Sequence, residues 1–336
     1  MTIYDISEKA GVSIATVSRV LNGSNRVSEK TRQKVLTVMK EYDYTPNAFA
    51  RGLGLNTMNT IGILCVDSSN LYFSKALYYM EQQLHANQYD SLLFCTGYDL
   101  ENRQKSLNLL LSKKVDGIIL VGSDFISETK AENQYIIEAA KEVPIMLFDA
   151  ALDCPNVYSI VSDDFLSVYK AASSLLSSGV KDILFFYNSD TYSNKQKLSG
   201  YRTALRDAGI NILPSLIQLY NGDHENISAM VQALQYISKS GINFDGVIAS
   251  DDTLAVAALK YAKCGNLKVP EDFSVIGYGN SLLATCCDPE LTSIDNNSET
   301  LCTELINTLL EVFAGNTRPS KTLITGKLNK RNSTNF

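Results

Sequence analysis

The 336-residue sequence contains no tryptophan and only two histidines, so aromatic stacking depends on its 18 tyrosines and 12 phenylalanines. Its seven cysteines include no Cys-x-x-Cys pair, which argues against both a zinc site and a disulfide framework. We therefore expect no metal and no cofactor.

Long apolar runs are also missing. Stretches such as Ile118 to Val121 are far too short to cross a bilayer. The charged opening MTIYDISEKAG lacks the apolar segment of a secretory signal. Together these features predict a soluble, cytoplasmic protein without a membrane partner. The apolar content of 45 % and the charged content of 20 % are ordinary for a globular chain.

Recognisable catalytic patterns are missing too. Neither His85 nor His224 lies near a Gly-x-Ser-x-Gly elbow, and no phosphate-binding glycine loop occurs. The Asp163-Asp164 and Asp251-Asp252 pairs precede predicted helices, where carboxylates are favourable without any catalytic role. The sequence therefore predicts a protein that is not an enzyme.

Charge is distributed unevenly along the chain. Residues 1–60 hold eight basic and five acidic side chains, a net charge of +3, whereas the whole chain carries −6. The remainder therefore carries −9, from 22 basic and 31 acidic side chains. A small basic domain joined to an acidic body is the asymmetry of a protein whose head contacts nucleic acid, although charge alone does not establish that contact.

The basic head has the pattern of a helix-turn-helix. Thr2 can cap a helix from Ile3 to Ala10 that ends at Gly11, and Ser13 can cap a second helix from Ile14 to Asn22. On the second helix Val17, Val20 and Leu21 share an apolar face, and the opposite face carries Ala15, Ser18, Arg19 and Asn22. A third helix, Glu29 to Tyr42, is predicted to close a small core with Val35, Leu36 and Met39.

A short helix is also predicted from Pro46 to Leu53. A helix of this length is marginal in water, so it needs a surface to fold against, for which a DNA minor groove is one candidate.

The segments TIYDISEKAGVSIATVSRVLNG, RVSEKTRQKVL and YTPNAFARGL resemble the DNA-binding head of the LacI/GalR family of bacterial transcription regulators. Weaker likeness continues through NTIGIL, VDGIIL, KVPEDFSVIGY, LTSI and RNST. The resemblance implies that Ile14 and Ala15 select the operator sequence and that Arg19 reads a base. It also implies a hinge helix that contains Asn47 and Ala50 and wedges Leu53 into the central base step.

These implied roles agree with the chemistry of the side chains. Arginine donates two hydrogen bonds to guanine, and the apolar Ile14 and Ala15 suit a thymine methyl group. Further hydrogen-bonding side chains are expected near the phosphates, where contacts set register: Tyr4, Ser13, Thr16, Ser18, Asn22, Ser28 and Tyr44.

From Thr60 onward, predicted strands alternate with helical stretches, which indicates parallel sheets with crossover helices. The strands are predicted at 61–66, 91–95, 117–121, 145–148, 183–187, 246–249 and 274–277. The resemblance implies a two-lobed, periplasmic-binding-protein-like effector domain. We expect a head over 1–45, a hinge and linker over 46–59, and an effector domain over 60–336. Its N-lobe is expected at about 60–161 and 293–319, and its C-lobe at about 162–292 and 320–336.

Parallel sheets bind ligands beyond the carboxyl ends of their strands, which places the effector site among the residues that follow them. Tyr192, Asp251 and Asn280 follow strands in this way, although Asp251 could equally cap a helix. By the resemblance, Tyr72, Phe73 and Asp149 keep the family's aromatic pair and acid.

Other cleft positions depart from the family pattern. Lys197 replaces an arginine, Ser250 a frequent asparagine and Gly279 an aspartate, while His224 stands where an aromatic often stacks on the ligand. The loss of the arginine fork and of the aspartate weakens the case for an ordinary hexose. The effector is then unusual, or the cleft has lost tight binding.

The sequence thus predicts a homodimeric repressor of carbohydrate-related genes that binds a pseudo-palindromic DNA operator. A small-molecule effector, a sugar or a derivative, is expected between the lobes. Two alternatives stay open, namely a solute-binding protein without operator binding and a regulator without an effector.

Overall fold

The computed structural model describes residues 2–21, 24–44 and 57–336. These residues form a helical head and two α/β lobes. No helix among them is long and apolar enough to span a membrane.

The head consists of helices α1 (Ile3–Ala10), α2 (Ile14–Leu21) and α3 (Glu29–Glu41). The Thr2 hydroxyl accepts a hydrogen bond from the Asp5 amide, and the Asp5 carboxylate accepts one from the Thr2 amide, which completes a capping box. Gly11 ends α1 in the left-handed conformation, at φ 55°. The predicted helix-turn-helix is therefore formed by the residues that the sequence indicated.

The core of the head is small and apolar. Ile6, Ala10, Val17, Val20 and Val35 are buried, and Leu21 and Met39 pack against them. The prediction that Leu36 belongs to this core is wrong, because its side chain is 41 % exposed. Leu36 lies one residue beyond Val35 on α3, so the helical turn directs it away from α1 and α2.

The N-lobe is built on a six-stranded sheet in the order β11-β5-β4-β3-β1-β2, and all of its neighbouring strands are parallel. Its strands are β1 Thr60–Cys65, β2 Asp90–Cys95, β3 Gly117–Val121, β4 Ile145–Phe148, β5 Val157–Ser162 and β11 Lys321–Ile324.

The C-lobe sheet has the order β12-β10-β9-β8-β6-β7, in which only β12 is antiparallel to its neighbour. Its strands are β6 Ile183–Tyr187, β7 Ile217–Leu219, β8 Gly246–Ala249, β9 Ser274–Tyr278, β10 Thr292–Asp295 and β12 Lys327–Asn329. The seven predicted strands are present, while β5, β7, β10, β11 and β12 were not predicted.

Helices cover both faces of each sheet. The N-lobe helices are α4 Leu71–Ala86, α5 Leu100–Ser112, α6 Gln134–Ala139 and α12 Ser298–Phe313. The C-lobe helices are α7 Asp164–Ser177, α8 Tyr192–Asp207, α9 Ile227–Lys239, α10 Asp252–Cys264 and α11 Leu282–Cys286. Each sheet therefore separates two apolar clusters.

Two of the expected lobe boundaries are wrong. The chain crosses after β5, as predicted, but β10 pairs with β9 and so belongs to the C-lobe. Strand β11 pairs with β5, which places it in the N-lobe instead of the C-lobe. The second and third crossings therefore follow residues 295 and 324. Both strands are short and only partly apolar, Thr-Ser-Ile-Asp in β10 and Lys-Thr-Leu-Ile in β11, so no hydrophobic run assigns them to a sheet.

The α7–α8 contact in the C-lobe depends on a close backbone approach at Gly200. A Cβ at this position would lie 2.2 Å from the Phe165 carbonyl oxygen. The two helices therefore could not keep their present separation with any larger residue at position 200.

We predict that Gly200→Ala lowers the free energy of unfolding by about 2–3 kcal/mol, as overpacking of a core does. Gly265→Ala is the matched control, because its Cβ would find only ordinary contacts at 3.6 Å and beyond. Urea unfolding followed by circular dichroism measures both variants. Equal stability of the two variants would contradict the packing argument.

Candidate functional site

The exposed surface of α2 is the candidate nucleic-acid interface. Ile14, Ala15 and Arg19 are exposed, and Thr16 and Ser18 are half-buried. No described residue accepts a hydrogen bond from the exposed Arg19 guanidinium, a group that can donate two hydrogen bonds to a guanine edge. Tyr4 is 67 % exposed on α1.

Three of the predicted phosphate contacts have structural roles in the head. The Ser13 hydroxyl accepts a hydrogen bond from the Thr16 amide at 3.2 Å, and Ser28 accepts from the Thr31 amide at 3.3 Å, so both cap helices. Tyr44 packs against the core of the head. The predicted residues Asn22, Asn47, Ala50 and Leu53 lie outside the described residues, as does the proposed hinge helix.

The N-lobe wall of the cleft centres on Asp149, which follows β4. Its backbone is left-handed at φ 57°, and its side chain is 8 % exposed. One carboxylate oxygen accepts a hydrogen bond from the Tyr72 hydroxyl, and the other accepts from the Ser162 amide at 3.2 Å. The Phe73 ring lies over Gly122, where a Cβ would come within 2.9 Å of it.

A buried hydrogen-bond chain continues from Asp149 into the C-lobe. The Ser162 hydroxyl is 3.1 Å from the Tyr278 hydroxyl, and Tyr278 donates to the Asp164 carboxylate. Ser193 donates to the other Asp164 oxygen at 2.6 Å. We call the chain Tyr72, Asp149, Ser162, Tyr278, Asp164 and Ser193 the junction network, because it joins the strand ends of both lobes.

Lys197 lies beside this network and is 7 % exposed. Its ammonium is 3.8 Å from the centroid of the Tyr278 ring and donates to the Ser250 carbonyl at 3.1 Å. Asp251 caps α10 by accepting from the Leu254 amide at 2.8 Å. Its second oxygen accepts from the Asn188 amide group at 2.6 Å, so both carboxylate oxygens have donors within the C-lobe.

At the mouth of the cleft, polar contacts join the two lobes directly. Lys195 of the C-lobe forms an ion pair with Glu128 of the N-lobe. The Tyr192 hydroxyl accepts from the Lys321 ammonium at 2.9 Å. The His224 imidazole is exposed and packs against the Tyr220 ring, with the centroids 6.3 Å apart.

The structure thus brings Tyr72, Asp149, Lys197, Ser250 and Asp251 together at the junction between the lobes. Asn280 is instead held by C-lobe partners, since it donates to Asp295 and accepts from Arg331. The strand-end rule missed Ser162 because β5 was not predicted, and Asp164 was interpreted only as a helix-terminal carboxylate.

Burial governs the electrostatics of the junction. Together with the nearby Asp164 charge, it raises the pKa of Asp149 to about 6. Burial also raises the pKa of Asp164 and of Asp251, and the Lys197 charge opposes both shifts. In the C-lobe, burial raises the pKa of Asp252 to about 6 despite hydrogen bonds from Ser293 and Ser281.

Two family models match the chain. Residues 2–47 match a model described as bacterial regulatory proteins of the lacI family, and residues 172–334 match a periplasmic-binding-protein-like domain. An HTH-type transcriptional regulator of Lachnoclostridium phytofermentans is 53 % identical over 336 residues, which is all of both chains. The chain belongs to the lacI family of bacterial regulatory proteins.

This family member is a DNA-binding transcriptional regulator. The regulator DegA of Bacillus subtilis is 34 % identical to it, covering 87 % of this chain and 86 % of DegA. The ribose operon repressor of Haemophilus influenzae is 31 % identical over 96 % of this chain and 95 % of its own length.

Solved structures confirm the fold. The lac repressor dimer bound to operator and an anti-inducer superposes with a TM-score of 0.88 at 24 % identity, covering 99 % of both chains. The complex of the regulator CelR with cellobiose gives a TM-score of 0.72 at 24 % identity, again over 99 % of both chains.

The raised pKa values predict that the regulator loses stability as pH rises. Near pH 5 folded Asp149 and Asp252 retain protons that an unfolded aspartate, with a pKa of about 3.9, has released. Each carboxyl should lower the free energy of unfolding by about 1 kcal/mol between pH 5 and 7.5.

Urea unfolding across this pH range tests the prediction. Asp149→Asn should show a smaller decrease, because it removes one of the titrating groups. The exposed Asp90, changed to Asn, is the matched control and should keep the full decrease. An identical slope for Asp149→Asn and the wild type would show that Asp149 ionises normally.

Proposed function

We propose that this regulator is a homodimeric repressor of carbohydrate-related genes that acts in the cytoplasm by binding alone, without catalysis. It binds a pseudo-palindromic operator through the head and responds to a small-molecule effector between its lobes. The observation that carries the proposal is the exposed Ile14, Ala15 and Arg19 on the second helix of a capped helix-turn-helix.

The arrangement of α2 supports the direct reading of bases in a major groove. Its buried face fixes the helix to the head, while the opposite face presents one bidentate donor and two apolar groups. Arg19 suits guanine, and Ile14 and Ala15 suit thymine methyl groups. The hinge segment, with Leu53 as an apolar wedge and Ala50 and Asn47 nearby, would add contacts in the minor groove.

An exposed apolar face of the N-lobe supports the homodimer. Leu71 and Tyr78 on α4 are 55 % and 61 % exposed. Leu93 on the edge strand β2 is 46 % exposed, and Tyr98 beyond it is 59 % exposed. Apolar residues along an open sheet edge are a liability unless another chain covers them. A two-fold dimer would also match two inverted half-sites.

The cleft supports the effector. Hydrogen-bonding groups and aromatic rings from both lobes converge on it, namely Tyr72, Phe73, Asp149, Lys197, Ser250 and Asp251. Tyr192 and His224 lie at its mouth, and Asn280 shapes the C-lobe loop behind it. Sites of this kind can bind polyols. Two similar proteins are described with a sugar in their names, the ribose operon repressor and the complex of CelR with cellobiose.

The lobes and the operator are coupled in this proposal. Closure around an effector changes the spacing of the two heads in the dimer and so changes operator affinity. By linkage, operator binding must change effector affinity by the same factor.

Selection of a random duplex library by the full-length protein tests operator binding. The expected result is an enriched inverted repeat, to which affinity falls steeply with salt as phosphate contacts require. Failure to enrich any sequence would favour a solute-binding protein without an operator. Unchanged operator affinity with every sugar tested would favour a regulator without an effector.

Arg19→Ala should weaken binding to the selected operator about 5- to 150-fold, equivalent to about 1–3 kcal/mol, and relax preference at one base pair of each half-site. Arg206→Ala on α8 is the matched control, because it removes the same exposed group outside the head. Fluorescence anisotropy on operators with single base changes measures both. An Arg19→Ala protein with the wild-type base profile would exclude the base-reading role.

Leu53→Ala should weaken operator binding and leave the melting temperature unchanged, since the wedge acts only on bent DNA. Anisotropy and thermal melting give the two readouts. Unchanged operator affinity would rule out the wedge.

A further inference from the structure

Residues 57–60 bring the chain from the side of the head into the N-lobe, and we call them the tether. The last of them, Thr60, begins strand β1. The chain passes from the head to the body through this segment. The contacts that hold the tether on the N-lobe therefore determine the point from which the head extends.

Asp116 holds the tether with its carboxylate, from the turn between α5 and β3. One of its oxygens accepts a hydrogen bond from the Met58 amide at 3.0 Å. The other accepts from the Thr60 amide at 2.9 Å and from the Met58 amide at 3.2 Å. Hydrogen bonds from backbone amides to a carboxylate are charge-assisted and stronger than those between neutral groups.

The other hydrogen bonds from the tether to the N-lobe lie at its last two residues. The Asn59 carbonyl accepts from the Asp90 amide at 2.8 Å, and the Thr60 carbonyl accepts from the Asp116 amide at 2.8 Å. Within the part of the chain that the structure describes, the first two residues of the tether hydrogen-bond beyond it only through the Asp116 carboxylate. Loss of this carboxylate would therefore release both residues from the N-lobe.

The release of two residues is large on the scale of an operator. Two extended residues span up to about 7 Å. Neighbouring base pairs are about 3.4 Å apart along DNA. Because each protomer of a dimer would gain this freedom, the two heads could then adjust to half-sites whose spacing differs by a base pair or more.

The C-lobe contains the same arrangement in a segment that does not lead to the head. Asp245 precedes the glycine that begins β8, as Asp116 precedes the glycine that begins β3, and both aspartates are half-buried. The Asp245 carboxylate accepts from the Asp182 amide at 2.8 Å and from the Lys181 amide at 3.1 Å, just before β6. The segment that Asp245 holds comes from α7, whereas the segment that Asp116 holds comes from the head.

We propose that Asp116 is a positioning residue for operator binding, which fixes the point where the tether leaves the N-lobe and so sets the half-site spacing that the dimer accepts. This inference rests on the proposed function, since it requires two heads on an inverted repeat. Two linked heads bind together only when their connections span the half-sites, and a longer, looser connection lowers the effective concentration of the second head.

Anisotropy titrations of the full-length protein measure this role. The probes are the inverted repeat selected from the duplex library and two versions of it, with one base pair added or removed between the half-sites. The wild type should lose at least tenfold in affinity on either altered duplex. Asp116→Ala should bind the unaltered duplex at least fivefold more weakly than the wild type and lose less than threefold on the altered ones.

Asp245→Ala is the matched control, because it removes the equivalent carboxylate from a segment that does not lead to the head. It should lower the melting temperature about as much as Asp116→Ala does, while keeping the wild-type affinity and spacing preference. Asp116→Asn keeps one oxygen that can accept from the Thr60 amide, so it should lie between the wild type and Asp116→Ala. The same titrations on Asp116→Asn decide the question if Asp116→Ala does not fold.

The outcomes separate this inference from the proposed function. A wild-type spacing preference in a folded Asp116 variant overturns the positioning role, and so does an equal loss of preference in Asp245→Ala. A wild-type protein that tolerates both altered duplexes overturns it as well. In each of these cases the selected inverted repeat still supports operator binding. If the library yields no inverted repeat, the proposed function fails and this inference fails with it.

Discussion

The organisation of the body depends on the burial of charged groups where its two lobes meet. Asp149 and Asp164 lie on opposite sides of the lobe junction, and Ser162 and Tyr278 join them through hydrogen bonds. A buried carboxylate is tolerated only when its oxygens have donors, so these side chains hold the strand ends of one lobe against those of the other. The pKa values of Asp149 and Asp164 are nevertheless raised, because burial disfavours the charged carboxylates more than their hydrogen bonds favour them.

This constraint links the cleft to the function of the family. A ligand that reaches Asp149 must also alter the groups that hold the lobes together, because the same carboxylate serves both. In a dimer, a change in lobe angle changes the spacing of the two heads, on which binding to an inverted repeat depends. The basic head and the acidic body then have separate tasks, since the head carries a net positive charge that phosphates attract and the body a net negative one.

The sequence was most informative where local chemistry decides the structure. Thr2, Gly11 and Ser28 mark helix ends, and their capping geometry follows from side chains within a few residues. Strands such as β3 and β4 were predicted because they are continuously apolar, whatever their length. Strands β10 and β11 mix polar with apolar residues and were not predicted, since their sheet membership depends on partners distant in the chain. Asp149 was predicted because it follows a strand and matches the acid of the family, and Lys197 was predicted from the family resemblance alone. The hydroxyl chain through Ser162 and Tyr278 required the assembled fold.

The most direct test of the account is the operator affinity of Tyr278→Phe, which removes the hydroxyl that joins Ser162 and Asp164 while keeping the ring beneath Lys197. Anisotropy titrations on the selected operator should show a change in affinity of severalfold or more. The preferred bases and the salt dependence should stay those of the wild type, because the head is untouched. An unchanged affinity in a folded, dimeric Tyr278→Phe protein would contradict the claim that the lobe junction controls operator binding.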